Sequence, residues 1–158
     1  MVHIPANASL SFQASGNLGS YILKSLLTEA PHFKVTIITR SASSATFPTG
    51  PNITVQKGDY ESSEFLQSAL AGTDVLINVL SNAAPPSLSD TLYDAASAAG
   101  VKWVIPKTFG TDYENPKLTD RVPFLAGLVA LKKEILDRGL GYTGFKPNPL
   151  FDLVSDTL

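Results

Sequence analysis

Cysteine is absent from this 158-residue sequence, and histidine occurs only at His3 and His32. These absences exclude disulfide bonds, a thiolate nucleophile and a cysteine-based metal site, and two histidines are too few for a histidine-rich metal site. Charged residues make up 16%, and twelve Lys and Arg against fourteen Asp and Glu give a net charge of −2. No stretch is basic enough to indicate a nucleic-acid-binding surface.

Long apolar runs are also missing, since none approaches the ~20 residues that a membrane span needs. The N-terminus has no basic segment followed by an apolar core, which a secretory signal would show. Apolar residues make up 44% of the chain, an ordinary share for a folded protein. We therefore expect one domain over residues 1–158, located in the cytoplasm, with neither nucleic acid nor a membrane as a partner.

Short runs rich in β-branched residues alternate with longer helical patterns along the chain. The runs predict strands at 35–39, 53–55, 75–80 and 101–105, with a weaker one at 142–145. Apolar spacing of three to four residues predicts helices near 18–27, 65–70, 88–99 and 120–138, with Ser62 as an N-cap and Gly100 and Gly139 as ends. This order predicts an α/β fold with a doubly wound parallel sheet, whose ligands bind at the carboxyl ends of the strands.

The segment before the first predicted helix contains two glycines in a Gly-x-x-Gly pattern. A short alternating apolar stretch leads into Gly16 and Gly19, and an amphipathic helix follows at once. A dinucleotide pyrophosphate needs backbone N–H groups at a helix N-terminus without an obstructing side chain. The candidate cofactor-binding residues of this loop are Ser15, Gly16, Asn17, Leu18 and Gly19. The alternative is an ordinary strand-to-helix turn that contains two glycines.

Arg40 ends the next predicted strand, about 20 residues after the glycine loop. An acidic residue at this spacing accepts the ribose 2′-OH of NAD, whereas an arginine suits the 2′-phosphate of NADP. Ser41 is a further donor for that phosphate. The alternative is an arginine that ends a strand and binds no ligand.

Two further loops contribute candidates to the same edge of the predicted sheet. Asp59 follows the third strand and is expected near the adenine, and its alternative role is a simple turn. Ser81 and Asn82 follow the fourth strand, where small residues leave room for the nicotinamide half of a cofactor. A loop without a ligand is equally compatible with that composition.

Several blocks agree in order and spacing with one known family. They are residues 16–23, 39–40, 57–60, 98–106 and 109–112. Together they resemble the NmrA-like/isoflavone reductase-like family, especially its fungal members, over residues 14 to about 155. The resemblance implies an atypical short-chain dehydrogenase with a Rossmann-type fold that binds NADP(H). It also implies oxidoreductase ancestry, with a small aromatic or carbonyl substrate and a C-terminal part that shapes most of the substrate pocket.

The sequence departs from that family at informative positions. The first glycine of the family's loop is Gln13, and the catalytic lysine position of the family's reductases is Leu128, which cannot move a proton. Lys107 stands in the loop after the fifth strand, as a cofactor-binding candidate and a weak candidate for a general acid, and Tyr113 is a weaker one. The chain ends at Leu158, so we expect a truncated fold that lacks the substrate part.

Three functions remain open on the sequence, and whether the chain is an enzyme stays undecided. The first is an NADPH-dependent reductase of a small molecule. The second is a non-catalytic NADP(H)-sensing regulator that acts through a protein partner. The third is a truncated product without activity.

Overall fold

A computed structural model of the chain describes residues 9–12, 16–29, 33–81, 84–110 and 112–147. Its centre is one six-stranded parallel sheet with the strand order β3-β2-β1-β4-β5-β6. The strands are β1 (Ser9–Phe12), β2 (Lys34–Arg40), β3 (Ile53–Gly58), β4 (Val75–Ile77), β5 (Trp103–Ile105) and β6 (Gly141–Tyr142).

The strand order reverses at β1, which pairs with β2 on one side and β4 on the other. Leu10 is in register with Val35 of β2 and with Val75 of β4. This arrangement is the doubly wound order of dinucleotide-binding folds, and the reversal opens a crevice at the carboxyl ends of β1 and β4. The predicted fold class is therefore confirmed.

Helices connect the strands, and their ends follow the predicted signals. They are α1 (Asn17–Glu29), α2 (Ser63–Leu70), α3 (Pro86–Ala98), α4 (Pro116–Thr119) and α5 (Pro123–Asp137). The Ser62 side chain accepts a hydrogen bond from the backbone N–H of Phe65, as an N-cap does. Gly100 and Gly139 adopt φ values of 78° and 76°, the left-handed conformation that stops a helix at low cost.

Several boundaries differ from the sequence prediction, and two of them differ for identifiable reasons. The helix predicted near 120–138 is α5, which begins only at Pro123, and it is preceded by the separate short helix α4, which Asn115 caps and Pro116 begins. The predicted strand at 75–80 ends at Ile77. The Asn78 side chain accepts a hydrogen bond from the backbone N–H of Leu80, which replaces the strand ladder with a turn.

Apolar side chains fill both faces of the sheet. On one face, α2, α3 and α5 cover a cluster that includes Ile38, Leu76 and Val104, all 0% exposed. On the other face, Leu23 of α1 packs with Ile37 and with residues of β2 and β4. Burial on both faces explains why these strands read as continuous apolar runs rather than alternating ones.

The β5–β6 side of the sheet is packed unevenly. Val104 is fully buried towards α5, whereas its neighbours Trp103 and Ile105, which belong to the opposite cluster, are only half-buried. The Trp103 indole N–H donates to the Thr143 hydroxyl at 2.7 Å, which fixes the ring across β6. Gly141 lies directly beneath that ring, and a Cβ there would overlap it.

We therefore predict that Gly141→Ala lowers the free energy of unfolding by about 1–3 kcal/mol, because the hydrogen-bonded indole has to be displaced. The matched control is Gly127→Ala, since a Cβ at this exposed position of α5 meets no atom within 4 Å in the part of the chain that the structure describes. The control should raise stability by about 0.5–1 kcal/mol through helix propensity. Urea unfolding of both variants measures the difference, and equal effects would contradict the predicted overlap.

Candidate cofactor site

The N-terminus of α1 lies at the switch point, directly after β1. Within this turn the backbone N–H of Ser20 donates to the carbonyl of Gly16 at 2.9 Å, and the Ser20 hydroxyl donates to the carbonyl of Asn17 at 2.7 Å. A Cβ on Gly16 would meet no atom of the described residues within 4 Å, so these residues leave the space beside this glycine open. Gly19 is buried, as expected for a glycine that lets a helix approach the sheet.

The electrostatic environment at the N-terminus of α1 favours an anion. No acidic side chain occupies the first turn of α1, so the partial positive charge of the helix N-terminus is not neutralised by the helix itself. Backbone N–H groups at such a position bind phosphate groups. Asn17 and Leu18 begin this helix. Ser15 and Gln13 lie outside the described residues.

A second part of the site is an open depression of about 460 Å³ at the carboxyl ends of β2 and β3. Its lining residues are Arg40, Ser41, Gly58, Asp59, Tyr60, Glu61 and Leu88. The backbone N–H of Ser41 donates to the carbonyl of Gly58 at 3.0 Å, which holds the two strand ends together. The structure thus brings together three predicted site residues from two separate segments.

Arg40 is exposed at the mouth of this depression. Among the residues that the structure describes, it forms no salt bridge, so its guanidinium group is available to an anion. Asp59 is held in a tight turn, in which its carboxylate accepts from the backbone N–H of Glu61 at 2.9 Å. The depression therefore holds one cation, Arg40, without a salt bridge among the described residues, together with two carboxylates, those of Asp59 and Glu61.

Tyr60 supports the depression rather than doing chemistry in it. Its side chain is 9% exposed, and its hydroxyl donates to the carbonyl of Ile38 at 2.9 Å. Burial raises the pKa of Tyr60 to about 12, although the nearby Arg40 acts in the opposite direction. The phenol therefore stays neutral at physiological pH, and its hydrogen bond fixes the loop after β3 to β2.

Asn78 is the residue of this edge that the sequence analysis missed. It is fully buried at the end of β4, and its amide donates to the Tyr93 hydroxyl at 2.8 Å. Its backbone N–H donates to the carbonyl of Ile105 at 2.8 Å. These bonds fix the loop that carries Ser81, which is exposed, while Asn82 lies outside the part of the chain described. The sequence did contain a signal for this residue, because Asn78 is the single polar residue inside the apolar run 75–80.

Lys107 lies in the loop after β5, so β4 and β1 separate it from the strand that carries Arg40. Its side chain is half-buried, and burial lowers the pKa of Lys107, with a smaller opposing effect of Asp90. Leu128 is half-buried on α5. The structure therefore puts Lys107 at the other half of the carboxyl edge, apart from the depression around Arg40.

Tyr113, the weaker candidate for a proton donor, is 1% exposed, and its hydroxyl is hydrogen-bonded to that of Tyr142. Lys146 lies over the Tyr113 ring, 4.9 Å from its centroid. A buried phenol that is already paired is poorly placed to reach a substrate. The tyrosine pair instead fixes the end of β6 to the segment after β5.

Two other kinds of site, a metal site and a membrane span, were also sought among the described residues. Within ranges 9–12, 16–29, 33–81, 84–110 and 112–147, no group of three acidic or histidine side chains is arranged to hold a metal ion. In the same ranges, no helix combines the length and the apolar character that crossing a membrane requires.

The sequence is similar to proteins of known class along most of its length. A family model described as NAD(P)H-binding matches residues 14–153. Oxidoreductase aprR of Aspergillus flavus is 33% identical over 148 residues, which are 89% of this chain and 48% of that protein. Quinone oxidoreductase 2 of Escherichia coli is 32% identical over 136 residues, 82% of this chain and 44% of that protein.

Solved structures share the fold. The NADPH-dependent quinone oxidoreductase QOR2 of Escherichia coli superposes with a TM-score of 0.63 at 25% identity, over 86% of this chain and 46% of that one. The Citrobacter sp. triphenylmethane reductase, solved with NADP(H), gives a TM-score of 0.75 at 23% identity, over 93% and 51%. Pinoresinol-lariciresinol and phenylcoumaran benzylic ether reductases, described with their relationship to isoflavone reductases, give a TM-score of 0.72 at 17% identity. The match covers 90% of this chain and 49% of that one.

The chain spans about half the length of the curated relatives it matches. The NAD(P)H-binding family model, the fungal oxidoreductase relative and the shared fold of these neighbours agree with the resemblance drawn from the motifs. The strand order, the open glycine turn at the switch point and the matched family model agree with one another. The chain belongs to the NAD(P)H-binding family of Rossmann-type proteins.

Proposed function

We propose that this chain is the cofactor-binding part of an NADPH-dependent reductase that acts on a small aromatic or carbonyl substrate. The observation that carries the proposal is Arg40, exposed and without a salt bridge among the described residues, in one depression with Ser41. The relatives that are named as oxidoreductases support the reaction class. We further propose a cytoplasmic location and a small molecule as the partner.

The preference for NADPH follows from the chemistry at the end of β2. A guanidinium group binds a phosphate through paired, charge-assisted hydrogen bonds, and a serine hydroxyl adds a neutral donor. Arg40 and Ser41 supply these two groups at the position where NAD-specific proteins carry an acidic residue. The N-terminus of α1 would hold the pyrophosphate, and Asp59 would lie on the adenosine side.

Lys107 is our proposed proton donor. Bound NADPH supplies a hydride, and a carbonyl that accepts it also needs a proton on its oxygen. Leu128 cannot supply that proton, whereas Lys107 is half-buried at the carboxyl end of β5 with a lowered pKa. A lowered pKa makes the ammonium group a stronger acid and brings it closer to the working pH.

Arg40→Asp should weaken NADPH binding by about 10- to 100-fold, because it replaces a charge-assisted pair with a repulsive one. NADH, which lacks the 2′-phosphate, should change by less than about 3-fold. Calorimetric titration of both cofactors measures the effect. Lys117→Asp, the same kind of charge change on exposed α4, is the control. Equal losses for the two cofactors would remove Arg40 from the phosphate site.

Lys107→Met should lower turnover by about 10²- to 10⁴-fold and leave NADPH affinity within about 3-fold. In the wild type, turnover should fall as the pH rises through the lowered pKa of Lys107, because the protonated amine is the donor. NADPH oxidation with a panel of ketones, enones and quinones measures turnover. The control is Lys24→Met, at an exposed position of α1. Full activity of Lys107→Met would assign the proton to another group, and no turnover by the wild type would show that this chain by itself does not catalyse the reduction.

A further inference from the structure

Two phenylalanines form a stacked pair at the edge of the sheet. Phe109 follows β5 and Phe145 follows β6, and their ring centroids are 6.0 Å apart with planes inclined by 16°. Phe109 is half-buried against the apolar cluster on the α1 side of the sheet. Phe145 is 48% exposed, so its ring is only partly covered.

The pair lies at the carboxyl edge, the same edge as the candidate cofactor site. Strands β5 and β6 are parallel, and Val104 lies opposite Tyr142. The segments that follow the two strands therefore leave the sheet at the same edge. In a doubly wound fold the dinucleotide crosses this edge at the switch point. With its adenosine end at β2 and β3, the redox end and the substrate are left to the β4–β6 side, where the phenylalanines lie.

The segment that carries Phe145 is held firmly on both sides. Before it, the Tyr142 hydroxyl is bonded to that of Tyr113, and Thr143 accepts from the Trp103 indole. After it, Lys146 donates to Asp112 at 2.8 Å and forms a salt bridge with Glu114. An aromatic ring kept half-exposed on a fixed segment is preorganised to bind an apolar partner.

The charges beside the pair indicate the kind of partner. Lys146 is matched by Asp112 and Glu114, and Glu114 also accepts from Lys132 at 2.8 Å. The two cations and two carboxylates of this group therefore balance, and Lys107, the proposed proton donor two residues before Phe109, lies outside the group. Because the balanced group offers no unpaired charge to the ring itself, it favours an uncharged ring over one that carries a carboxylate or an amine.

We propose that Phe145, supported by Phe109, is a stacking platform for the uncharged planar ring of the substrate. A flat ring continues the parallel stack already present between the two phenylalanines, whereas a saturated ring of the same size cannot stack. This inference rests on the proposed function, because it takes the β4–β6 side to be the substrate side. It narrows the substrate class to compounds with an aromatic or quinone-like ring.

The test compares acetophenone with methyl cyclohexyl ketone, two uncharged ketones that differ in ring planarity. Binding to the whole chain is followed by NMR titration of its backbone amide signals. Acetophenone should shift the signals of residues 144–146 to saturation and bind about 3- to 10-fold tighter than the saturated ketone. Phe145→Leu, which keeps the apolar bulk but removes the ring, should abolish this preference, and Phe145→Trp should restore it.

Tyr21→Leu is the matched control, since Tyr21 is an aromatic residue of α1 that is 59% exposed and distant from β6 in the sequence. It should leave both affinities unchanged. Circular dichroism establishes that each variant is folded. An unchanged preference in Phe145→Leu, or shifts that do not saturate, would overturn the platform.

A parallel titration with NADPH separates this inference from the proposed function. NADPH binding without any preference for acetophenone overturns the platform and leaves the cofactor site standing. A Phe145-dependent preference without NADPH binding supports the platform and refutes the proposed function. Competition between NADP⁺ and acetophenone for the signals of residues 144–146 would assign the platform to the nicotinamide ring and overturn the substrate assignment.

Discussion

Parallel pairing of β1 with both β2 and β4 determines where the loops of this protein meet. Parallel strands need crossover connections, and these bring the carboxyl ends of all six strands to one edge. Because the chain winds away from β1 in both directions, the loops at that edge separate at the switch point. The crevice, the exposed N-terminus of α1 and the depression around Arg40 all follow from that separation.

A small number of buried polar side chains hold the loops of this edge in place. The Asn78 side-chain amide donates to the Tyr93 hydroxyl, and its backbone N–H donates to the carbonyl of Ile105. The Tyr60 hydroxyl donates to the carbonyl of Ile38. A buried polar group without a partner is costly, so each of these bonds selects one loop conformation over the alternatives. The apolar clusters stabilise the sheet, whereas these hydrogen bonds position the loops that a cofactor would meet.

The two ends of the edge differ in charge. At the β2–β3 end, Arg40 forms no salt bridge with a described carboxylate, although Asp59 and Glu61 line the same depression. At the β5–β6 end, Lys146 and its acidic partners balance around two stacked phenylalanines. A ligand with phosphates at one end and a flat, uncharged ring system at the other matches this difference, because each end then meets the environment that costs it least desolvation.

Features that depend on residues close together in the chain could be predicted from the sequence. The alternation of strand and helix, the Ser62 cap, the stops at Gly100 and Gly139, and Arg40 at a strand end are local patterns set by backbone conformation and periodicity. The folded structure was needed to establish the strand order, the Asn78–Tyr93 hydrogen bond, the burial of Tyr113 and the stacking of Phe109 on Phe145. Those features join residues that are distant in the chain, and no local pattern encodes which distant partner a side chain meets once the sheet has formed.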